Sequence, residues 1–460
     1  MAPVLSKLND EFVRAEFGDK RLGARLLQIA SSLAAQAGGS LPRAMRTSAN
    51  LEAAYRFLSN PRVTPHAILA THVEATAQRA VALKTAVLVI HDTTQFNFSG
   101  ESRQGLGRTT DGQEGFFAHV AFAVSSSGEP LGIIGLQTWV RNAPPPKSKS
   151  RKTYRYQQRT GKESDRWASN VDAASERIRG RCRMVHVMDR EGDQYRVLSH
   201  IHERSEGFVI RGAHLDRLVV DDRARNLTDV LKRATFVLER TVTLSPRHAE
   251  PRLKSANPSR SARTCQLGVS ATTVQLRRSW GIAASTVPPS LEVNAVRVAE
   301  VNPPTGTQPV EWILLTNLPI KTKKEVEFIV DCYRHRWQIE ELFKAIKTGC
   351  QYERLQLESR TSLLNALALI VPIAWQMLLL RHLARGGVEI SATPLLTAPQ
   401  LGALRAAFPR LKKAPTAHDA LFAIAELGGH IKNNGDPGWL VLYRGLRDLT
   451  LMAAGWSLKM

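Results

Sequence analysis

Three acidic residues stand at positions from which a fold could bring their carboxylates together. Asp92 follows the apolar run Ala86–His91, and Asp189 follows a second run of the same kind. Both runs read as buried strands, and the ends of neighbouring strands of an α/β sheet converge. Glu340 lies in Asp331–Lys347, which has the period of an amphipathic helix. Carboxylates from two strands and a helix would suit a pair of Mg²⁺ ions, because hard cations prefer oxygen ligands.

Two ions held by shared carboxylates activate an attacking hydroxyl group and stabilise the leaving oxygen of a phosphodiester. The sequence therefore predicts phosphodiester hydrolysis or transesterification. A glycosidase also uses paired carboxylates, but it does not need a formal net charge of +22, which results from 63 Lys and Arg against 41 Asp and Glu. That charge, with a pI near 10.3, is typical of proteins that bind polyanions. Nucleic acid is the first candidate and an anionic membrane the second.

Basic and aromatic residues accompany the glutamate on the same predicted helix. At about 100° per residue, the side chains of Tyr333, Arg336, Glu340, Lys344 and Lys347 fall within roughly 80° of one another. The cations would lie within reach of the phosphates beside a scissile bond. However, Glu–Lys and Arg–Glu pairs at these spacings also stabilise ordinary exposed helices. The helix alone therefore leaves both interpretations open.

Some positions have a second interpretation that the residues alone do not exclude. An aspartate after a strand often only begins a turn or caps a helix. Spacing also does not decide whether Asp189 or Asp193 would be the second ligand. The run that contains Trp312, W-I-L-L-T, reads as a buried strand, which favours a core role for this tryptophan.

The periodicity predicts an α/β fold between two helical units. Residues 1–64 are helical in pattern and rich in Lys and Arg, which is typical of a small DNA-binding module. Residues 65–385 alternate strands and helices, with a β-rich insertion at about 207–320, and residues 386–460, after Gly386-Gly387, are helical again. The Pro-, Lys- and Arg-rich stretch Asn142–Arg159 is predicted to be a loop that contacts the phosphate backbone.

Several features predict a cytoplasmic protein without a membrane partner. The apolar stretch Leu363–Leu380 is barely long enough to cross a bilayer and contains Pro372, so we expect a buried core helix, kinked or interrupted near the proline. The four cysteines form no C-x-x-C pair, which indicates a reducing compartment. The N-terminus lacks the apolar segment of a signal peptide.

Seven motifs in collinear order carry a resemblance to a known family. They are G-D-K-R-L-G-A-R at Gly18–Arg25, A-Y-R-F-L-S-N-P-R-V at Ala54–Val63, H-D-T-T at His91–Thr94, M-D-R-E-G-D at Met188–Asp193, G-F-V-I-R at Gly207–Arg211, N-P-P-T-G-T-Q-P-V-E-W at Asn302–Trp312 and Tyr333-x2-Arg336-x3-Glu340-x6-Lys347. Together they resemble the DDE transposases of the insertion-sequence-four family.

The resemblance implies a ribonuclease-H-like catalytic core. It implies that Asp92, Asp189 and Glu340 form the metal-binding triad, and it selects Asp189 over Asp193. The implied cofactor is two Mg²⁺ ions per active site, for which Mn²⁺ would substitute. The implied activity is cut-and-paste DNA transposition through a hairpin intermediate, and the implied location is the bacterial cytoplasm, in association with the nucleoid.

The resemblance also assigns DNA contacts and a partner. Trp312 would take a flipped base during hairpin formation, a role that rests on the stacking of a base against an aromatic ring. The implied partners are double-stranded DNA, as transposon ends and target, and a second copy of the chain, paired through the C-terminal unit. The other residues predicted to contact DNA are Arg21, Arg25, Arg211, Tyr333, Arg336, Lys344 and Lys347.

Overall fold

The computed structural model describes residues 8–457, apart from residues 37, 101, 142–164, 179, 221–225, 245, 247–258, 280–281, 283–285, 386–389, 394–395 and 432–434. Two features predicted from the sequence, the basic loop Asn142–Arg159 and the boundary at Gly386-Gly387, lie outside the described residues.

The N-terminal part of the chain forms short helices with one apolar side each. They are α1 (Lys20–Ala35), α2 (Leu41–Met45) and α3 (Ser48–Leu58). The side chains of Asp19 and Thr47 cap α1 and α3 by accepting hydrogen bonds from the backbone of the first turn. Leu26, Ile29 and Phe57 are buried, so the apolar residues that give the helical period form the interior of this unit.

A mixed sheet of ten strands runs through the described part of the chain. The strands are β1 (Val87–Phe98), β2 (Gly107–Arg108), β3 (Glu114–Ser125), β4 (Pro130–Trp139), β5 (Met184–Met188), β6 (Gly207–Arg211), β7 (Phe236–Leu244), β8 (Arg263–Arg277), β9 (Ser290–Val301) and β10 (Glu311–Thr316). Their order is β4-β3-β1-β5-β6-β10-β9-β8-β7, and the short β2 also pairs with β3. The β-rich stretch predicted as an insertion is thus continuous with the central strands, because β10 pairs with β6.

The centre of the sheet is parallel and places the first two acidic residues. β1, β5 and β6 run in the same direction, and the last residue pair between β1 and β5 is His91 with Met188. The sequence prediction that the first strand ends before Asp92 is wrong. β1 continues to Phe98, because it pairs with β3 along its whole length.

Helices cover the sheet and build the C-terminal part of the chain. They are α4 (Pro65–Ala82), α5 (Asp165–Ile178), α6 (Tyr195–Glu203), α7 (Leu227–Lys232), α8 (Lys323–His335), α9 (Trp337–Lys344), α10 (Arg360–Arg385), α11 (Ala398–Ala407), α12 (Ala417–Leu427) and α13 (Trp439–Ser457). α4 and α5 pack on β4, α8 packs on β5 and β6, and α9 packs on β1.

The long apolar helix α10 connects the parts of the molecule. It is long and apolar enough to cross a membrane, but 89% of its most apolar window is buried inside the protein, against α3, α4, β4 and α12. It passes through Pro372 without the predicted interruption. The Asn365 side chain donates hydrogen bonds to the carbonyl oxygens of Leu58 and Val63, so this helix also holds the N-terminal unit.

A buried polar network joins the N-terminal unit to the sheet. The Glu11 carboxylate is fully buried and accepts hydrogen bonds from Arg79 Nη1 at 2.8 Å and from His72 Nδ1 at 2.5 Å. His72 Nε2 accepts the backbone N–H of Ile133, so His72 is neutral with its proton on Nδ1. Burial alone would raise the pKa of Glu11. The hydrogen bond from His72 and the charge of Arg79 have the larger, opposite effect, and together they lower this pKa to about 2.

We expect that Glu11→Ala lowers the free energy of unfolding by about 3–5 kcal/mol, because it leaves the Arg79 charge buried without its partner. Since the folded-state pKa of Glu11 lies below its ordinary value of 4.5, its stabilisation is complete above about pH 4.5 and is lost as the pH falls towards about 2. Urea unfolding of both proteins over this pH range measures the difference.

The matched control is Glu52→Ala, which removes an exposed ion pair with Arg56 on α3. We expect a change below about 0.5 kcal/mol, because exposed pairs are screened by water. A loss in Glu11→Ala no larger than that of the control would contradict the structural role of the buried network.

Candidate active site

The register of the sheet brings Asp92 and Asp189 next to each other. They are the residues that directly follow the last β1–β5 pair, His91 with Met188. The side chain of Asp92 is 17% exposed. The Asp189 side chain accepts a hydrogen bond from the backbone N–H of Glu191 and so begins a short 3₁₀ turn. Parallel pairing therefore positions both carboxylates at one edge of the sheet.

Glu340 reaches the same place from a helical segment that is less regular than predicted. The predicted helix Asp331–Lys347 is divided between α8 and α9, because the hydrogen bonds around Arg336 tighten to the i→i+3 pattern. After α9 the chain widens into a π turn, Ala345–Gly349. Such irregular turns are frequent at functional sites. Here the tight turn places Arg336 and Glu340 on the side of the helix that faces β1.

The guanidinium of Arg336 lies between two of the three carboxylates. Its Nη1 is 3.3 Å from Asp92 Oδ2, and its Nη2 is 2.5 Å from Glu340 Oε1. The Arg336 side chain is 15% exposed, so water screens these pairs only in part. Arg336 is therefore the cation that balances the acidic cluster in this structure.

The charge of Arg336 does not offset the effects that raise the pKa of Asp92. Burial raises its pKa to about 7, the negative charge of Asp189 and, to a smaller extent, that of Glu340 contribute in the same direction, and Arg336 opposes them. Repulsion among carboxylates, with hard oxygen donors only, is the setting that a divalent cation relieves. The donor set thus fits a metal site, although among the described residues no three His, Cys, Asp or Glu side chains are close enough together to hold an ion as they are placed.

An aromatic chain leads from Arg336 to Trp312. The guanidinium carbon of Arg336 lies 5.9 Å from the centre of the Tyr333 ring, and this ring meets Trp312 edge to face at a centroid distance of 5.3 Å. Tyr333 is 5% exposed, whereas Trp312 is half-buried on β10. Trp312 is thus neither a fully enclosed core residue nor a free surface residue.

Arg211 and Trp312 lie at the same edge of the sheet as Asp189. Met188 pairs with Ile210, so Arg211 follows in the row of Asp189. β10 runs antiparallel to β6 with Leu314 opposite Arg211, which places Trp312 two residues beyond that row. Two strand spacings, about 10 Å, separate β5 from β10. From β5 to β10, this edge therefore carries the acidic Asp189, the basic Arg211 and the aromatic ring of Trp312.

The two lysines predicted on the helix face separate in the structure. Lys347 is on the active-site side, where its Nζ lies 5.4 Å from the Phe96 ring and 4.0 Å from Glu353 Oε1. Phe96 is four residues beyond Asp92 and therefore on the same face of β1, about 13 Å along the strand. Burial lowers the pKa of Lys347, which Glu353 opposes. Lys347 could thus contact a phosphate some distance from the carboxylates.

Lys344 points in another direction. Its Nζ pairs with Glu341 at 3.0 Å and lies 4.9 Å from the ring of Trp337, which is exposed. The structure therefore does not bring Lys344 together with the acidic cluster. The common arc of five residues that a regular helix would give is lost at the tight turn and the π turn.

The chain was compared with models of known protein families. A model described as a transposase DDE domain matches residues 137–375, which is more than half of the chain. A second model, described as transposase DNA-binding, matches residues 6–63. The chain belongs to the DDE transposases. It is therefore an enzyme that binds DNA, cleaves it and transfers strands, in a domain class that generally uses divalent metal ions.

The large mixed α/β sheet is consistent with the catalytic core of a DDE transposase. Asp189 and Glu340 lie inside the matched DDE range, and Asp92 lies before it. The assignment of these three residues as the triad stays a prediction, which the geometry of the sheet edge supports.

Asp193, the alternative to Asp189, has a structural role in this transposase. Its carboxylate is 1% exposed, accepts hydrogen bonds from the backbone of Ala213 and His214, and pairs with Arg217 at 2.7 Å. Every one of these bonds would have to break before Asp193 could bind an ion. Asp189 is half-buried at the sheet edge, and its carboxylate accepts the backbone N–H of Glu191, so it is less constrained than Asp193.

Arg21 and Arg25 lie on α1, inside the range that matches the transposase DNA-binding model. The Arg21 side chain is 91% exposed and pairs with Asp19, the residue that caps the helix. Arg25 donates a hydrogen bond to Gln28. Both side chains are on the surface of the N-terminal unit, remote in sequence from the acidic cluster, and their contact with DNA stays a prediction.

Sequence reasoning missed the polar support behind Asp92. On the opposite face of β1, His91 Nε2 lies 2.9 Å from His186 Nδ1, and His186 Nε2 lies 2.9 Å from Glu206. Thr93 bonds His119 in the same layer. The available signal was the alternation of polar and apolar residues at 95–98, because it has the period of a strand and extends β1 past Asp92.

We expect that Arg336→Met destabilises the metal-free transposase by about 2 kcal/mol, because Asp92 and Glu340 lose the cation between them. Added divalent cation should then recover more stability in the variant than in the unchanged protein, since a bound ion stabilises the folded state. Thermal unfolding with a chelator and with Mg²⁺ measures both effects.

Arg334→Met is the control, since it removes an exposed guanidinium that pairs with Asp331 on the same helical segment. A small loss is expected there, with no dependence on the ion. If Arg336→Met behaved like this control, the guanidinium would not be the counter-ion of the acidic cluster.

Proposed function

We propose that this protein is a cut-and-paste transposase of the insertion-sequence-four family, resembling the Tn-five transposase. It would bind the ends of its own element, cleave them through a hairpin intermediate and join the 3′-OH ends to target DNA. The observation that carries the proposal is the convergence of Asp92, Asp189 and Glu340 at one sheet edge, in a family that cleaves and transfers DNA.

The three carboxylates would hold the divalent ions. The expected cofactor is two Mg²⁺ ions per active site, with Mn²⁺ as a substitute. When bound, the ions would supply a more acidic attacking hydroxyl group and a stabilised leaving oxygen. The fit rests on the oxygen-only donor set and on the setting of Asp92, whose pKa is raised mainly by burial and further by the negative charge of Asp189.

The basic residues of the helical segment would position the DNA strand. Arg336 already lies within 3.3 Å of two carboxylates, so it would face the phosphate at the scissile bond and donate charge-assisted hydrogen bonds to it. Lys347, farther along β1, would contact a flanking phosphate. Tyr333 packs between Arg336 and Trp312 and would keep both in place.

Trp312 would stack on a base that leaves the duplex during hairpin formation. Its half-buried ring at the sheet edge supports this role, because one side of the ring is fixed by Tyr333. The proposed partners are the two DNA ends, the target DNA and a second copy of the chain that pairs the ends. The proposed location is the bacterial cytoplasm, in association with the nucleoid and with no membrane partner.

We expect that Asp92→Asn, Asp189→Asn and Glu340→Gln each keep end binding but lose strand cleavage by at least about a thousandfold, because each removes one anionic ligand of the ions. The assay incubates each protein with the terminal DNA of its element, Mg²⁺ and a target plasmid, and separates nicked, hairpin and joined products.

Asp10→Asn is the matched control for this series, since it changes an exposed aspartate near the N-terminus and should leave cleavage intact. Full cleavage by any of the three variants would remove that residue from the triad. Cleavage by the unchanged protein without any joining of 3′ ends would indicate a nuclease or resolvase instead.

For Trp312→Ala, hairpin formation should fall by about tenfold or more while first-strand nicking changes little, because only the flipped base needs the ring. Trp312→Phe should keep most of the hairpin yield. Equal losses of nicking and hairpin formation in Trp312→Ala would instead assign this tryptophan to the packing of Tyr333.

A further inference from the structure

A small polar cavity lies where three distant parts of the chain meet. Its volume is about 200 Å³, and its walls come from the turn after α1 together with α2, from the end of the π turn and the residue Gln351 beyond it, and from α13. It is smaller than the usual range for small-molecule sites. Three guanidinium groups line it, those of Arg43, Arg444 and Arg447.

The charge of this cavity is only partly compensated. Arg447 pairs with its neighbour Asp448 at 2.7 Å. Arg43 and Arg444 are exposed and have neither an ion pair nor a side-chain hydrogen bond with the described residues. Because two of the arginines that line the cavity have no acidic partner among the described residues, the cavity suits an anion.

Close backbone packing holds the three walls together. A Cβ atom on Gly38 would lie 2.8 Å from the carbonyl oxygen of Gly349, and one on Gly349 would overlap the ring of Tyr443. Cys350 also bonds the Tyr443 hydroxyl group at 3.2 Å. Only glycine permits this approach, so the backbone segments next to the arginines are held close together.

The position of the cavity indicates which anion it takes. Arg43 belongs to the range that matches the transposase DNA-binding model, and Lys347, on the active-site side of β1, precedes Gly349 by two residues. α13 lies outside both matched ranges. The cavity therefore joins a segment of the DNA-binding range to the end of the π turn that follows Lys347, in a family whose polyanion is DNA.

We propose that Arg43, Arg444 and Arg447 form a binding site for a phosphate group of the DNA backbone. Guanidinium groups suit this ligand because they bind phosphate oxygens in pairs. The C-terminal helix α13 then contacts the same DNA as the N-terminal unit and the active site. This is a function distinct from the dimerisation that the family resemblance implies for the C-terminal unit.

The test uses the full chain with Arg444→Gln and a duplex of about 40 base pairs that carries the terminus of its element. Affinity is measured from about 0.1 to 0.4 M salt. We expect about tenfold weaker binding and a slope of log affinity against log salt that is smaller by about 0.9, the value for one lost phosphate contact.

Arg410→Gln is the control, because it removes an exposed arginine from the C-terminal part of the chain outside the cavity. Equal salt slopes for the two variants would overturn the phosphate site while leaving the DNA-binding function intact. Failure of the unchanged protein to bind the duplex would instead contradict the proposed function itself.

A second measurement separates a lost contact from a folding defect. Single phosphates of the duplex are replaced one at a time by neutral methylphosphonates. We expect one replacement to weaken binding by the unchanged protein but not by Arg444→Gln, because the variant has already lost that contact. If every replacement affected both proteins equally, or if Arg444→Gln altered only the oligomeric mass in light scattering, the site would be refuted.

Discussion

The burial of neighbouring carboxylates, which also repel one another, is the constraint on which the active site depends. Parallel pairing of β1 with β5 places Asp92 beside Asp189, and burial, together with the negative charge of Asp189, raises the pKa of Asp92. A fold retains such an arrangement when surrounding packing fixes it. Here β3 supports β1 along its whole length, and the buried histidines lie directly behind the acidic residue. The carboxylates are held in place before any ligand arrives.

The helical segment opposite β1 is irregular, and its irregularity determines which side chains reach the carboxylates. A regular helix would project five polar side chains along one stripe. The tight turn at Arg336 and the π turn after α9 instead give them different environments. Arg336 faces the carboxylates, Lys347 lies farther along β1, and Lys344 pairs with Glu341. A DNA-binding enzyme gains from this separation, because the scissile phosphate and its neighbours require different donors.

Local patterns predicted the parts of the fold that depend on local sequence. The apolar runs before Asp92 and Asp189 are strands, Glu340 is on a helix, and Leu363–Leu380 is buried. Features that depend on tertiary contacts could not be predicted. The extension of β1 to Phe98 comes from pairing with β3, the helix through Pro372 is continuous because its surroundings hold it, and the engagement of Asp193 needs Arg217, which is 24 residues away. The spacing of polar residues did not reveal that Arg336 lies between two carboxylates.

The continuity of the sheet has a consequence for how distances in the active site are maintained. β5, β6 and β10 are adjacent strands of the sheet, so the strand spacing and the register of β10 together fix how far Trp312 lies from Asp189. The two strand spacings, each about 4.8 Å, cannot increase without breaking the hydrogen bonds between the strands. Strands farther out, from β9 to β7, can change in length or sequence without altering that measure. The outer strands can therefore diverge during evolution while the distance between Asp189 and Trp312 stays constant.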